Sequence, residues 1–138
     1  MKLLKVVIMN KIFSAEFHLE DGALETVIAE TEVKLQWPLP NDYKEFLRKA
    51  NGGEGFIGEN YLILWGVGEL EQFNKEYQVL DYAPGLIMFG SDGGGEGFAF
   101  DARSNPSPIV QVPFIGMDLM YARPIATCFD AFLAKLAE

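Results

Sequence analysis

Leu39-Pro40-Asn41-Asp42-Tyr43-Lys44-Glu45-Phe46-Leu47-Arg48-Lys49-Ala50-Asn51-Gly52-Gly53 is the stretch that sets the frame for the whole chain. Tyr43, Phe46, Leu47 and Ala50 fall at i, i+3, i+4 and i+7, one apolar stripe of a helix. Pro40 is read as the first helical position, where a missing amide hydrogen costs nothing. Asn41, Asp42 and Glu45 put polar and acidic groups at the N-terminus, and Arg48 and Lys49 put cations at the other end, as the helix dipole favours. Asn51-Gly52-Gly53 tolerates positive φ and is read as the C-cap. The stretch is therefore a short amphipathic helix laid on a core, with nothing reactive in it.

Working outward, Asp21-Gly22 marks a turn and a candidate N-cap, and Leu24, Val27, Ile28 and Thr31 give an earlier helical face. That helix ends before Trp37-Pro38-Leu39-Pro40, since a proline disfavours helical geometry in the residue before it. Upstream, residues 3–9 read as an edge strand. Phe13, Ala15, Phe17 and Leu19 read as a second short strand, with one helical turn as the alternative. Downstream, the glycines at 52, 53, 55 and 58 read as a flexible loop. Tyr61 to Trp65 is a continuous apolar run, read as a buried central strand. Gly68 to about Leu80 reads as a helix with Leu70, Phe73, Tyr77 and Leu80 on one face. Leu86 to Phe89, the loop 90–95 and Glu96 to Asp101 read as a β-hairpin. Ile109 to Phe114 is a strand, residues 119–122 a short strand or irregular, and Phe129, Phe132, Leu133 and Leu136 line a closing helix that Thr127 and Asp130 cap. The expected fold is a single α+β domain, one antiparallel β-sheet flanked by helices.

The bulk properties bound the function. With 138 residues, 49% of them hydrophobic, the chain is one domain with a sizeable core. A net charge of −9 excludes a nucleic-acid binder, which needs cations to displace counterions, and docking on an anionic membrane. It suits a basic protein partner, with solubility alone as the equal alternative. Cys128 is the sole cysteine, so no internal disulfide forms, and a reducing, cytoplasmic setting is expected. The N-terminal apolar run is broken by Lys5 with no cleavage signature after it, so no signal peptide is expected.

Motifs for chemistry are missing. The glycines at 90–97 lead to Glu96-Gly97-Phe98 and a strand, not to Lys-Ser/Thr and a helix, and Phe98 stands where a dinucleotide loop needs glycine. Asp92, Glu96 and Asp101 are hard oxygen ligands, but the calcium-loop pattern is absent, so they read as turn and solvated residues rather than a metal site. One histidine, His18, one cysteine and no nucleophile-elbow pattern leave catalysis without candidates. Binding remains. Trp65, Tyr61, Phe56, Tyr77, Tyr82 and Tyr121 are interface-anchoring types, with core burial the alternative for each and the expected place for Trp65 and Phe98. The expected partner surface is a rim of Asp92, Glu96 and Asp101 with the glycine loop 52–58, Glu59 and Tyr61.

These pieces together resemble the SUKH superfamily, which includes fungal cell-wall assembly regulators and bacterial immunity proteins. The resemblance lies in Leu39 to Leu47 followed by Asn51-Gly52-Gly53, in Leu64-Trp65 with Glu69 opening a helix, and in Phe89 to Asp101. It continues in Pro108-Ile109-Val110 and Phe129 to Leu133. It covers about residues 21–137 and leaves 1–20 as an N-terminal addition. Where this chain has Glu96 the family's hairpin often carries Asp. The resemblance implies an α+β domain with no catalytic residues and no cofactor. It implies an immunity protein that neutralises a toxin, frequently a nuclease. An interaction module in a cell-wall or regulatory pathway is the alternative, and a small hydrolase comes third.

Overall fold

The computed structural model describes residues 12–138. The expected strand over 3–9 lies outside them. The helix read from 39–53 forms as α2, defined below, and buries Tyr43, Phe46 and Leu47, with Ala50 buried just past its end. Pro40 stands one position earlier than expected, as the extended residue before the helix. The C-cap reading is corrected: Ala50 is extended, and positive φ appears only at Gly52 and Gly53. The Asn51 side chain is turned to another task, accepting a hydrogen bond from Val67 N at 2.8 Å.

In chain order the elements are β1 (His18–Leu19), α1 (Glu25–Leu35), α2 (Asn41–Lys49), β2 (Gly53–Ile57) and β3 (Asn60–Leu64). Then follow a 3-10 turn (Val67–Glu69), α3 (Leu70–Glu76), α4 (Val79–Tyr82), β4 (Leu86–Ser91), β5 (Glu96–Asp101) and β6 (Ile109–Pro113). A second 3-10 turn (Leu119–Tyr121), β7 (Arg123–Ala126) and α5 (Phe129–Leu136) close the chain. The seven strands among the described residues lie in sequence order, β1 to β7, all antiparallel. The protein is a single α+β domain with helices beside one antiparallel sheet.

Helices α1, α2 and α5 cover one face of the sheet. There the aromatic rings gather: Tyr43 lies 5.1 Å from Phe100 and 4.9 Å from Phe129, and Phe89 lies 4.6 Å from Phe100. A second, smaller cluster on the opposite face joins Met88, Ala99, Val110 and Val112 to Val79 and Ala83 around α4 and to Met117.

Several sequence expectations change. Only His18 and Leu19 of the 13–19 stretch are strand. Phe13 and Phe17 instead turn inward, rings 4.6 Å apart, under the helix layer. The glycine stretch 52–58 is no loop: Gly53 to Ile57 is β2. Gly53 and Gly55 have φ of 151° and 150°, and a Cβ on Gly53 would meet His18 O at 2.1 Å. The glycines are there so that β1 can approach. Gly22 likewise serves packing, since its Cβ would meet Arg48 O at 2.1 Å, and no side chain caps α1. The strand read as wholly buried alternates: Leu62 and Leu64 are buried, Tyr61 and Ile63 half-buried, and Trp65 lies past its end. The helix expected over 68–80 breaks at Gln78, φ 54°, which buries Val79 and leaves Leu80 81% exposed. Residues 119–121 form a 3-10 turn, and the strand comes after them as β7. Thr127 does not cap α5. Asp42 of α2 does, its Oδ2 accepting from Asp130 N at 3.0 Å.

Candidate functional site: the open sheet face

Antiparallel pairing sends opposed residues to one side of a sheet. Leu62 and Leu64 face the helices, so Tyr61, Ile63 and their partners Phe56 and Glu54 face the other way. The Tyr61 hydroxyl donates to Glu54 Oε2 at 2.6 Å, and that bond raises the phenol's pKa. Phe56 meets Tyr61 edge-on at 5.1 Å. The turn after β4 rests on the same ring: a Cβ on Gly93, φ 77°, would meet Tyr61 Cδ2 at 2.9 Å.

A second aromatic row continues across this face. Trp65 lies 4.7 Å from Phe73 of α3 and is parallel to Tyr77 at 6.0 Å. Tyr77 stacks on Phe114 at 4.5 Å. Gly97 makes room for it, because its Cβ would meet Met88 Cε at 1.8 Å and Phe114 Cζ at 3.0 Å. Beside Trp65, toward β1, a recess of about 500 Å³ is lined by Ile63, Trp65 and Phe73 together with Glu20, Asp21, Glu54 and Glu69. Its one basic group is His18, whose ring nitrogen lies 2.8 Å from Glu20 Oε1.

Of the five residues expected at the partner surface, Tyr61, Glu59 and Asp92 lie at or beside the open face, and Glu96 and Asp101 lie away from it. Tyr61 is on the open face, and Glu59 is exposed in the β2–β3 turn beside it. Asp92 shapes the β4–β5 turn, its Oδ1 accepting from Gly94 N at 2.8 Å and Glu96 N at 3.2 Å. Glu96 belongs to the row on the helix side, near Gln111 Nε2 at 3.4 Å and Arg123 at 3.9 Å. Asp101 ends the same strand roughly 17 Å away, at ~3.4 Å per residue. It is 8% exposed and clamps Arg103 through two bonds of 2.9 Å. Those bonds hold its carboxyl below the usual range. Sequence reading missed Glu54, Phe73 and Phe114. They come from three elements, and only tertiary pairing puts them beside Trp65 and Tyr77.

A larger recess, about 690 Å³, lies between the α1–α2 connection, residues 102–107 and the start of α5, where Cys128 is exposed. His18 sits on β1, while Cys128 follows β7, so among the described residues the two are at opposite ends of the sheet. Among the described residues no three metal-binding side chains converge. None of their helices is long and apolar enough to cross a membrane.

The sequence matches the SMI1 / KNR4 family (SUKH-1) over residues 22–135. The chain belongs to this family. A Bacillus subtilis (strain 168) relative, "Uncharacterized protein YnaB", is 41% identical over 71 residues. That alignment covers 49% of this chain and 49% of the relative, so the chain aligns with about half of that protein. SMI1/KNR4 membership supports a role as an immunity or interaction module in general, in a family that is generally non-catalytic.

Proposed function

We propose that this SMI1/KNR4 chain is a non-catalytic, protein-binding immunity protein that neutralises a cognate toxin domain of basic charge, such as a nuclease, in the cytoplasm. The observation that supports this most is the open face, two rows of partly exposed aromatics bordered by carboxylates on a chain of net charge −9. A nuclease groove is basic because it binds phosphates, and an acidic surface of matching shape competes for it. Long-range attraction speeds encounter, and the aromatic anchors hold the complex. The mechanism requires no cofactor, no nucleic acid and no membrane contact. Of the residues singled out from sequence, Tyr61, Glu59 and Asp92 border this face. Glu96 and Asp101 fit structural roles better.

The test is co-purification from the native host with mass spectrometry, followed by expression of the recovered partner alone and with this chain. The expected result is a basic polypeptide that is toxic alone and harmless in the pair. A partner drawn from a cell-wall or regulatory pathway, with host sensitivity unchanged on deletion of this chain, overturns the immunity reading.

A further inference from the structure

We propose that the partner docks on the open sheet face and seats an arginine side chain in the recess beside Trp65. This rests on the protein-binding reading above and adds the surface and the chemistry of its occupant.

Coverage is the first observation. α1, α2 and α5 bury one side of the sheet, and α4 with Met117 covers the middle of the other. Over β2 and β3, no helix among the described residues lies on Phe56, Tyr61 and Ile63. Phe56 is 53% exposed. Exposed aromatics that already touch one another lose little freedom on binding, which is the property of an interface anchor.

The charge pattern selects the occupant. Glu20, Asp21, Glu54 and Glu69 line the recess, with no lysine or arginine among its walls. Among the described residues, five cations are paired away from the recess: Lys44 with Glu32, Arg48 with Glu25, Lys75 with Glu71, Arg103 with Asp101 and Arg123 with Glu96. The face therefore attracts cations and repels phosphates, which excludes nucleic acid as its occupant.

The wall chemistry then favours guanidinium over ammonium. A guanidinium is planar, stacks on an indole face and gives two parallel hydrogen bonds to a carboxylate. Trp65 and Phe73 supply the aromatic wall, and Glu54 and Glu69 the acceptors. An ammonium is more strongly hydrated and uses only the charge.

The experiment titrates the full chain with octa-arginine and, separately, octa-lysine, followed by amide and indole NMR. Expected are shifts concentrated at the Trp65 indole, Glu54, Ile63 and Glu69, and tighter binding of the arginine peptide. Glu54→Gln with Glu69→Gln should weaken arginine binding by about tenfold, while the distant pair Glu30→Gln and Asp81→Gln leaves it unchanged. Thermal melts check that each variant is folded. Four outcomes overturn the inference: no binding; shifts spread evenly or centred on 92–101; equal affinity for both peptides; or a self-dimer that covers the face. The two readings fail separately. A host toxin whose binding ignores Glu54 and Glu69 sinks this surface and leaves immunity standing. Peptide seated beside Trp65 with no toxin in the host does the reverse.

Discussion

Tyr43 carries a hydroxyl into the most apolar part of the molecule. Its ring packs among Phe89, Phe100 and Phe129, and its oxygen has no hydrogen-bond partner among the described residues. Burial raises its pKa far above the usual phenol range. A buried hydroxyl without a partner costs about 1–3 kcal/mol. Tyr43→Phe is therefore expected to hold or raise stability, by up to about 1 kcal/mol, in a urea melt with unchanged slope. A clear loss would show that the oxygen is satisfied after all. Asp101 poses the opposite case. Arg103 holds its folded pKa below the ordinary 3.8, so the pair's stabilisation is present above that value and lost as pH falls through the folded one. Arg103 is solvent-exposed, so screening keeps the pair's contribution small. Asp101→Asn should lower stability slightly at pH 7 and flatten the acid side of the stability curve below about pH 4, measured by denaturant melts at stepped pH.

Between β3 and β4 the ladder is short. Ile63 pairs with Ser91 and Leu64 with Gly90, and Trp65 N donates to Phe89 O, after which the strands part. Asn74 of α3 takes over. Its Nδ2 donates to Met88 O at 3.0 Å and to Leu70 O at 2.7 Å, and its Oδ1 accepts from Met88 N at 2.9 Å. One side-chain amide thus replaces a missing strand at the β4 irregularity. Asn74→Ala should cost about 2–4 kcal/mol, since it strands both Met88 backbone groups, and the loss is read by chemical denaturation. A cost under about 0.5 kcal/mol would mean that water or a shifted backbone replaces it. The cap at α5 makes a parallel prediction. Asp42→Ala should cost about 1 kcal/mol and Asp42→Asn less, because the amide oxygen still accepts.

These two side chains show what a sequence conceals. The stripe Tyr43, Phe46, Leu47 and Ala50 was legible because it is local and periodic. So were Glu96 to Asp101 and the last helix. Asn74 and Asp42 act on partners far along the chain and leave no local pattern. β2 was hidden because Gly53 and Gly55 read as loop punctuation, whereas they admit the backbone of residues 17 and 18. β7 was hidden by Pro124, which an edge strand tolerates. The site is half visible: Tyr61, Tyr77 and Phe56 stand out by type, whereas Trp65 reads as core and the acidic border comes from β2, the 3-10 turn and the segment after β1, which only the fold brings together.

At the scale of the molecule, charge and shape divide the work. The helix face holds the fold together, and the acidic open face is the surface we propose for another polypeptide. If attraction over distance drives encounter, the association rate with the partner should fall steeply as salt rises from about 0.05 to about 0.5 M, while dissociation changes little. Stopped-flow mixing reads both rates, and a flat association rate would remove electrostatic steering. The sheet's order has its own consequence. Each strand needs only its neighbour in sequence, so the hairpins zip up early during synthesis. Their underside does not. Phe46, Phe89 and Phe98 receive Phe129 and Phe132 only from α5. Until residues 129–136 have left the ribosome, α1 and α2 roof only part of that face, and chaperones have that interval to hold the rest.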